Sequence, residues 1–584
     1  MRETVRLTVE RDVPARMRDG VTLYADVYRP DGAGRWPVIL LRTPYNKAFP
    51  RIAYLQLEPM RAASRGYAVI VQDTRGRFAS EGEFYCFRHE VDDGYDTVEW
   101  AAAQPWSDGN VGMYGASYMG ATQWLAAIAK PPHLKCLVPM ITASDYHEGW
   151  TYQGGAFELG FNLSWTLANL ILPNLAHFKL DPTELAHVRA ELVRAVDGMC
   201  GPFEHLPMKN YPLIKRLADY YYDWLAHPDD DGYWRQWNIE SRHREITVPA
   251  LNIGGWYDIF LGGTLRNYIG MRRDGPTPAA KSQRLIVGPW LHGVLWPNMN
   301  GDVDFGVLSQ GVAIDLDGIL LRWYDHWLKG LDTGMLTEPP VKLFVMGDNA
   351  WRDEADWPLA RARATRYYLH SAGRANTLDG DGSLSTEAPA SEPSDHFLYD
   401  PRHPVPTRGG ALCCWQAAVP AGAFDQREIE RRADVLVYST PPLTAPVEVT
   451  GPIVVTLWAA SSAPDTDFTA KLVEVGPDGF ARNLTDGIVR ARYRRSRATA
   501  EPTEPGRAYE YTIDCFATSN VFRTGHRIRL EISSSNFPHY DRNPNTGRRF
   551  GMDIELAMAN QTIYHDAQRP SKIVLPIMPQ PIEP

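Results

Sequence analysis

A serine between small residues is the feature of this sequence that most clearly suggests chemistry. Ser117 follows the apolar run Val111–Gly115 and precedes a helical pattern. Such a strand-to-helix turn is typical of a nucleophile elbow, which exposes a hydroxyl and points the next amide, that of Tyr118, toward a developing oxyanion. The generic elbow has glycine two residues after the serine, whereas here Met119 stands there and Gly120 follows. The alternative is an ordinary tight turn, because glycine-flanked serines are common in turns.

An acid and a base follow this serine in the order that a catalytic triad of the α/β-hydrolase type requires. Asp258 ends the apolar run Pro249–Tyr257, and His292 lies 34 residues later, just after the run Arg284–Leu291. Functional groups of open α/β sheets gather at the carboxyl ends of strands, so we expect the three residues to meet there. Taken singly, Asp258 also fits a helix N-cap and His292 an ordinary loop histidine.

These three residue types have complementary chemistry. A serine hydroxyl is a weak nucleophile until a base takes its proton, and imidazole can do this near neutral pH. A buried carboxylate selects the imidazole tautomer and stabilises the imidazolium that forms. The sequence therefore predicts acyl transfer through Ser117, His292 and Asp258.

The surrounding elements predict an α/β fold class, an α/β-hydrolase fold with an inserted helical cap and a C-terminal jelly-roll-like β-sandwich. Strands and helices alternate over residues 1–143 and 245–349, residues 144–244 are helical in pattern, and residues 350–584 have short strands and turn signals. The predicted strands are Val38–Leu41, Tyr67–Gln72, Val111–Gly115, Leu134–Val138, Arg366–Leu369, Val435–Ser439, Ile453–Ala459, Phe468–Val475 and Ile528–Ser533. The predicted helices are Asp92–Ala103, Leu163–Leu172, Pro182–Val196, Pro212–Leu225 and Gly318–Leu328.

Several motifs in combination make the chain similar to the cocaine esterase family of serine hydrolases, relatives of X-prolyl dipeptidyl aminopeptidases and glutaryl acylases. The glycine three residues after the serine, Gly120, belongs to that family's own elbow. The motifs are Met17–Leu23 with Asp26–Pro30, Gln72–Gly76 with Ser80–Gly82, Asp108–Tyr118, Gly255–Asp258, Gly288–His292, Ser533–Pro538 and Asp541–Asn543.

The resemblance implies further site residues and no cofactor or metal. It implies that the hydroxyl of Tyr45 is a second oxyanion donor beside the amide of Tyr118, although Tyr45 also fits a packed aromatic. It implies an aromatic acyl pocket containing Trp150, Trp165 and Phe260, although the two tryptophans also fit the core of the cap.

Composition excludes several other functions. The 584 residues carry a net charge of −10 without a basic run, which disfavours nucleic acid as a partner. No secretory signal or membrane-spanning stretch is visible, and the six scattered cysteines predict reduced thiols, so we expect a cytoplasmic enzyme. The oligomeric state is open, and a homodimer is compatible with the sequence.

The favoured function is hydrolysis of a small-molecule carboxylic ester, with an aromatic or bulky acyl group, through an acyl-enzyme. One alternative keeps the triad but cleaves amides or peptides, with cap acids such as Asp145, Glu148 or Glu158 as anchors for an amine. Another is a carbohydrate-binding protein that uses the sandwich and retains a vestigial hydrolase domain.

Overall fold

A ten-stranded, mostly parallel sheet is the centre of the N-terminal half of the protein. The computed structural model describes residues 5–49, 57–293 and 296–579. The strands run parallel from Ala68–Asp73 to Val341–Val345, and antiparallel strands complete both edges. This is the topology expected of an α/β-hydrolase. In spatial order the strands are Leu7–Arg16, Thr22–Pro30, Ala68–Asp73, Trp36–Thr43, Ser107–Ala116, Leu134–Met140, Leu251–Tyr257, Arg284–Leu291, Val341–Val345 and Ala350–Glu354.

Helices cover both faces of this sheet, which is why its central strands are apolar on both sides. One face packs against the helices Glu90–Ala102 and Tyr118–Ile128, where Trp124 is fully buried. The other face packs against the helix Leu316–Lys329, whose Tyr324 hydroxyl donates a 3.0 Å hydrogen bond to a strand carbonyl. In the described residues of this half, the remaining α-helices are Pro59–Ser64, Leu261–Asp274 and Pro278–Lys281, and the 3-10 helices are Val307–Ser309, Gly311–Ile314 and Met335–Thr337.

The segment between the strands Leu134–Met140 and Leu251–Tyr257 is mostly helical and forms a cap. The predicted helix Pro212–Leu225 is two helices, because Ala218 between them has an extended backbone with φ −151°. None of the helices in the described ranges is long and apolar enough to cross a bilayer. The cap contains the paired strands Tyr152–Gln153 and Ala156–Phe157 and the helices Leu159–Ser164, Trp165–Ile171 (a π-helix), Leu172–His177, Pro182–Asp197, Cys200–Glu204, Met208–Asn210, Pro212–Lys215, Asp219–Ala226, Gly232–Arg235 and Glu240–Glu245.

The C-terminal domain is built mainly from sheet, in agreement with the predicted β-sandwich. Trp256 and Phe344 of the hydrolase sheet belong to its hydrophobic core, so the two domains are packed together. The strand Ala350–Glu354 still pairs within the hydrolase sheet, beyond the predicted boundary at residue 349. The strands of this domain are Arg363–His370, Ser383–Ser385, Asp395–Tyr399, Leu436–Ser439, Val447–Ser461, Asp467–Val475, Ala481–Arg490, Tyr509–Phe522, Arg527–Ser533, Ala559–Asp566, Arg569–Pro570 and Lys572–Ile577.

One prediction about the cysteines is wrong. Cys413 and Cys414 form a disulfide with each other, and Cys414 has a left-handed backbone with φ 79°. This local conformation brings the two neighbouring sulfurs together, whereas the sequence predicted reduced thiols. The other four cysteines are free, three buried and one exposed. A cytoplasmic location remains a prediction, without support from this cysteine pair.

Candidate active site

Ser117 lies on a sharp turn between the strand Ser107–Ala116 and the helix Tyr118–Ile128. Its backbone has φ 61° and ψ −125°, a strained combination for a residue with a side chain. A β-carbon on Gly115, which has φ 143°, would lie 2.4 Å from the β-carbon of Met119. A β-carbon on Gly120 would lie 2.7 Å from that of Thr142. Both glycines are therefore required by the close packing of this turn.

A chain of hydrogen bonds joins Asp258, His292 and Ser117. Asp258 Oδ1 lies 2.7 Å from His292 Nδ1, and His292 Nε2 lies 3.0 Å from Ser117 Oγ. A carboxylate only accepts, so Nδ1 is the nitrogen that donates, and the lone pair on Nε2 is free to accept the serine proton. The side chain of Asp258 is fully buried and that of His292 is 8% exposed, so the carboxylate and the imidazole are both held away from bulk water. The three predicted residues thus meet with the geometry that a nucleophile and its base need.

The amide of Tyr118 occupies the first helical position after Ser117, where a backbone N–H has no acceptor within its own helix. Its side chain is anchored on the opposite side, because the hydroxyl donates to Glu90 at 3.0 Å and accepts from the Phe87 amide at 3.0 Å. Glu90 in turn accepts a 2.6 Å hydrogen bond from Arg42. This buried network holds the side chain of Tyr118 in place.

Tyr45 lies beside Ser117, in the loop after the strand Trp36–Thr43. Its hydroxyl oxygen accepts a 2.9 Å hydrogen bond from Trp165 Nε1. Burial raises the pKa of Tyr45, and hydrogen bonds with Trp165 and Ser117 lower it by less, so the phenol keeps its proton. Trp165 donates to the oxygen, so the phenol O–H itself is not used in that hydrogen bond.

A buried arginine fastens the Tyr45 loop to the cap. Arg77 donates from Nε to the carbonyl of Pro44 at 2.7 Å and from Nη1 to the carbonyl of Leu170 at 2.7 Å. Burial lowers the pKa of Arg77 to about 10, so the guanidinium is still charged near neutral pH. Arg77 directly follows the motif Gln72–Gly76. Its role could not be predicted from the sequence, because its two carbonyl partners, Pro44 and Leu170, are distant in sequence.

A cavity of about 510 Å³ opens beside the serine. Its described wall has several aromatic side chains and includes no aspartate, glutamate, lysine or arginine. The lining residues are Tyr45, Asn46, Phe49, Phe78, Ala116, Ser117, Met119, Ile141, Trp165, Asn169, Pro173, His292, Gly293 and Cys414. The cavity is therefore polar at the hydrogen-bonded serine and largely apolar elsewhere.

The three predicted pocket aromatics occupy different depths. Trp165 is part of the cavity wall, whereas Trp150 and Phe260 are fully buried and are absent from the described lining. Their rings stack on each other at a centroid distance of 4.3 Å, and Phe260 meets the ring of His292 edge to face at 5.0 Å. Trp150 and Phe260 thus support the imidazole from behind.

The acids of the cap have other partners. Asp145 accepts from the His147 amide at 2.9 Å and from Asn238 at 2.8 Å. Glu148 is paired with Arg497, and Glu158 lies 3.2 Å from His539. None of the three acids is among the described residues that line the cavity.

A loop from the β-sandwich, residues 410–422, reaches this site and is hereafter the cysteine loop. Gly410 and Gly422 close its base through two hydrogen bonds of 2.8 and 2.9 Å. A β-carbon on Gly422 would lie 3.2 Å from Leu291, the residue before His292. The closed end of the loop therefore packs against the strand that precedes His292. Cys414 lines the cavity, and the sulfurs of Cys413 and Cys414 with a ring nitrogen of His292 lie within 4.8 Å of one another. The sequence predicted reduced thiols here and did not predict contact with His292.

Comparison with known proteins identifies the family. The model for X-Pro dipeptidyl-peptidase (S15 family) matches residues 19–294, and that for the X-Pro dipeptidyl-peptidase C-terminal non-catalytic domain matches residues 333–574. Cocaine esterase of Rhodococcus sp. (strain MB1 Bresler) is 42% identical over 581 residues, which cover 98% of this chain and 99% of that protein.

Solved structures show the same architecture. An aminopeptidase from a marine sediment Thaumarchaeota archaeon superposes with a TM-score of 0.79 at 27% identity, covering 98% of this chain and 97% of its own. An α-amino acid ester hydrolase superposes with a TM-score of 0.77 at 24% identity, covering 98% and 96%. This confirms an α/β-hydrolase followed by a sheet domain, and the chain belongs to the cocaine esterase group within the X-Pro dipeptidyl-peptidase (S15) family.

Proposed function

We propose that this protein hydrolyses uncharged carboxylic esters with an aromatic or bulky acyl group, through an acyl-enzyme on Ser117. The observation that carries the proposal is the hydrogen-bonded series from Asp258 through His292 to Ser117, which opens into a cavity without a charged anchor on its described wall. The 42% identity to a cocaine esterase supports ester hydrolysis by a serine enzyme.

The proposed mechanism assigns each catalytic step to a residue. Ser117 Oγ attacks the acyl carbon while His292 Nε2 takes its proton, and Asp258 stabilises the imidazolium. The amide of Tyr118 and the hydroxyl of Tyr45 donate to the oxyanion, a contribution of about 3–4 kcal/mol for one such donor. The imidazolium then protonates the leaving alcohol, and His292 activates a water that releases the acid.

The aromatic wall supports the preference for a bulky acyl group. Apolar and aromatic walls with a few polar groups are typical of sites for drug-sized ligands. Trp165 presents its ring to the cavity while its N–H is satisfied by Tyr45, so the ring adds apolar surface without an unpaired donor.

Amide or peptide hydrolysis is the second candidate, because the matching archaeal structure is an aminopeptidase. A substrate with a free amine needs an anionic partner, since an unpaired buried charge is strongly unfavourable. The cap acids are each engaged elsewhere, which disfavours such an anchor.

Matched substrates distinguish the two functions. The aryl ester of a benzoyl-type acid, the corresponding anilide, and an α-amino acid ester of similar size would be compared by kcat/KM. We expect the uncharged ester to be the best of the three. An anilide or a cationic ester that is turned over faster than the uncharged ester would overturn the proposal.

A further inference from the structure

The cysteine loop places two sulfurs beside the imidazole that the reaction uses. A ring nitrogen of His292 and the Sγ atoms of Cys413 and Cys414 lie within 4.8 Å of one another. Cys413 is buried at 3% exposure, and Cys414 is part of the cavity wall. Two thiolates and an imidazole are the ligands that Zn²⁺ and other thiophilic cations prefer.

We propose that reduction of the Cys413–Cys414 disulfide creates an inhibitory site for one thiophilic cation, formed by the two thiolates and His292 Nε2. The oxidised pair has no thiolate to offer, so the disulfide form keeps the imidazole free. The metal binding stands on the geometry alone, whereas the inhibition rests on the proposed role of His292 as the base. The pair would thereby couple the thiol redox state to hydrolytic activity.

The orientation of His292 suits a metal ligand. Its Nδ1 already donates to buried Asp258 at 2.7 Å, so the lone pair that a cation could take is that of Nε2, which Ser117 Oγ now contacts at 3.0 Å. A carboxylate that accepts from the far nitrogen is the usual outer partner of a zinc-bound histidine. The same arrangement that prepares the imidazole to take a proton from Ser117 therefore prepares it to bind a metal.

The distances allow the site to close with small movements. In a tetrahedral site with Zn–S bonds of about 2.3 Å, neighbouring sulfur ligands are about 3.8 Å apart. The three ligand atoms already lie within 4.8 Å, and the cleaved pair is free to separate by side-chain rotation. The base of the loop, closed between Gly410 and Gly422, holds the cysteines near the strand of His292.

The chemical steps balance. Two molecules of a small thiol supply two electrons and two protons, the S–S bond breaks, two thiols form, and the small thiols leave as their own disulfide. Zinc binding then releases two thiol protons to solvent and forms two Zn–S bonds and one Zn–N bond. The Nε2 lone pair is then engaged, so Ser117 loses the acceptor for its proton.

The test measures zinc binding and hydrolysis on the full chain in both redox states. One sample is reduced with a phosphine, which is then removed, and the other is oxidised by diamide. Mass spectrometry verifies the disulfide, because the oxidised chain is about 2 Da lighter than the reduced chain. We expect the reduced form to bind one Zn²⁺ per chain on the order of 100-fold more tightly than the oxidised form, with parallel inhibition. A chromogenic chelator reports binding independently of turnover.

Variants separate the site from non-specific zinc effects. Cys413→Ser with Cys414→Ser should abolish the difference between redox states, while Cys200→Ser, which removes an exposed free cysteine, should leave it unchanged. Equal zinc binding in both redox states, a pair that diamide does not oxidise, or a double variant that keeps the tight site would overturn the proposal. Full esterase activity with no zinc binding would reject this site alone, whereas tight zinc binding to a chain inactive on every ester would reject only the proposed function.

Discussion

The cavity beside Ser117 and the contact between the cap and the β-sandwich differ in how they use charge. The described cavity wall has no acid, lysine or arginine, and Ser117 on that wall is hydrogen-bonded through His292 to Asp258. In the contact between domains, buried Arg490 makes two hydrogen bonds to Asp467, at 2.8 and 2.9 Å, and one of 2.9 Å to Asp541. Asp541 also accepts from the amide of Phe157 in the cap at 2.7 Å.

The difference shows two ways to keep polar groups away from water. At the domain contact each charge has a fixed opposite partner, so the ions specify how the cap packs against the sandwich. Removing one partner would leave another charge buried and unpaired. The described cavity wall carries no permanent ion, which would have to be paired or solvated in every state, and the Asp258 carboxylate lies buried behind His292. New charge develops at the cavity only during the reaction. Substitutions should therefore separate activity from stability in the two regions.

The largest expected effect is the loss of activity in Ser117→Ala. The variant should lose roughly 10³-fold or more in kcat, because the hydroxyl is the covalent group, while its unfolding midpoint stays close to that of the parent. Initial rates and urea unfolding measure the two properties. Exposed Ser241→Ala is the matched control and should keep full activity. Labelling of a different serine by an active-site phosphonate would contradict the assignment.

Arg490→Met should have the opposite effect. It leaves the carboxylates of Asp467 and Asp541 buried without their partner, which should lower the free energy of unfolding by about 3–5 kcal/mol. The kcat per folded molecule should be unchanged, because Arg490 is not among the described residues of the cavity wall.

The control for this variant is Arg495→Met, which removes an exposed pair with Glu501 of 3.2 Å. Such surface pairs contribute little, about 0–1 kcal/mol, so this variant should unfold almost as the parent does. Equal unfolding midpoints for the two variants would show that the buried ions do not stabilise the contact.

Tyr45→Phe should reduce kcat by ~10²–10³-fold, about 3–4 kcal/mol, because it removes one donor to the oxyanion. Substrate binding should weaken much less, since the charge develops mainly in the transition state. Stability should fall by no more than about 1–3 kcal/mol, from the acceptor that Trp165 loses.

A companion variant, Trp165→Phe, removes the N–H that donates to the Tyr45 hydroxyl and replaces the indole with a smaller aromatic ring. It should lower kcat less than Tyr45→Phe does. Tyr45→Phe with a kcat within about threefold of the parent would remove Tyr45 from the oxyanion site.

The smallest effect is a change in the pH dependence of stability in Asp145→Asn. Burial raises the pKa of Asp145 to about 7, and the charges of Glu240 and Asp230 also raise it. The folded chain thus holds a proton that the unfolded chain has released, so this group makes stability fall as pH rises from about 4 to about 7.

The asparagine variant lacks this proton, so its stability relative to the parent should increase by about 1–2 kcal/mol between pH 5 and pH 7. Urea unfolding at several pH values measures the change, and any constant offset from altered hydrogen bonds with His147 and Asn238 cancels in the comparison. A constant difference at all pH values would mean that Asp145 is ionised throughout.

Much of the fold could be predicted from the sequence. The parallel strands appear as short apolar runs, and the predicted run Val111–Gly115 lies inside the observed strand Ser107–Ala116. The prediction of one helix over Pro212–Leu225 was less accurate. Its apolar residues fit one helical face, but the backbone at Ala218 is not helical and separates two helices.

The sequence by itself determined that Ser117, Asp258 and His292 would end three strands, because apolar runs and turn residues are short-range signals and parallel strands share one carboxyl edge. Only the tertiary structure decided that Trp165 faces the cavity while Trp150 lies behind it, that Arg77 ties the Tyr45 loop to the cap, and that Cys414 reaches the site. The physical reason is that the direction of a side chain depends on which distant elements pack against it. Residue types and local spacing do not identify those elements.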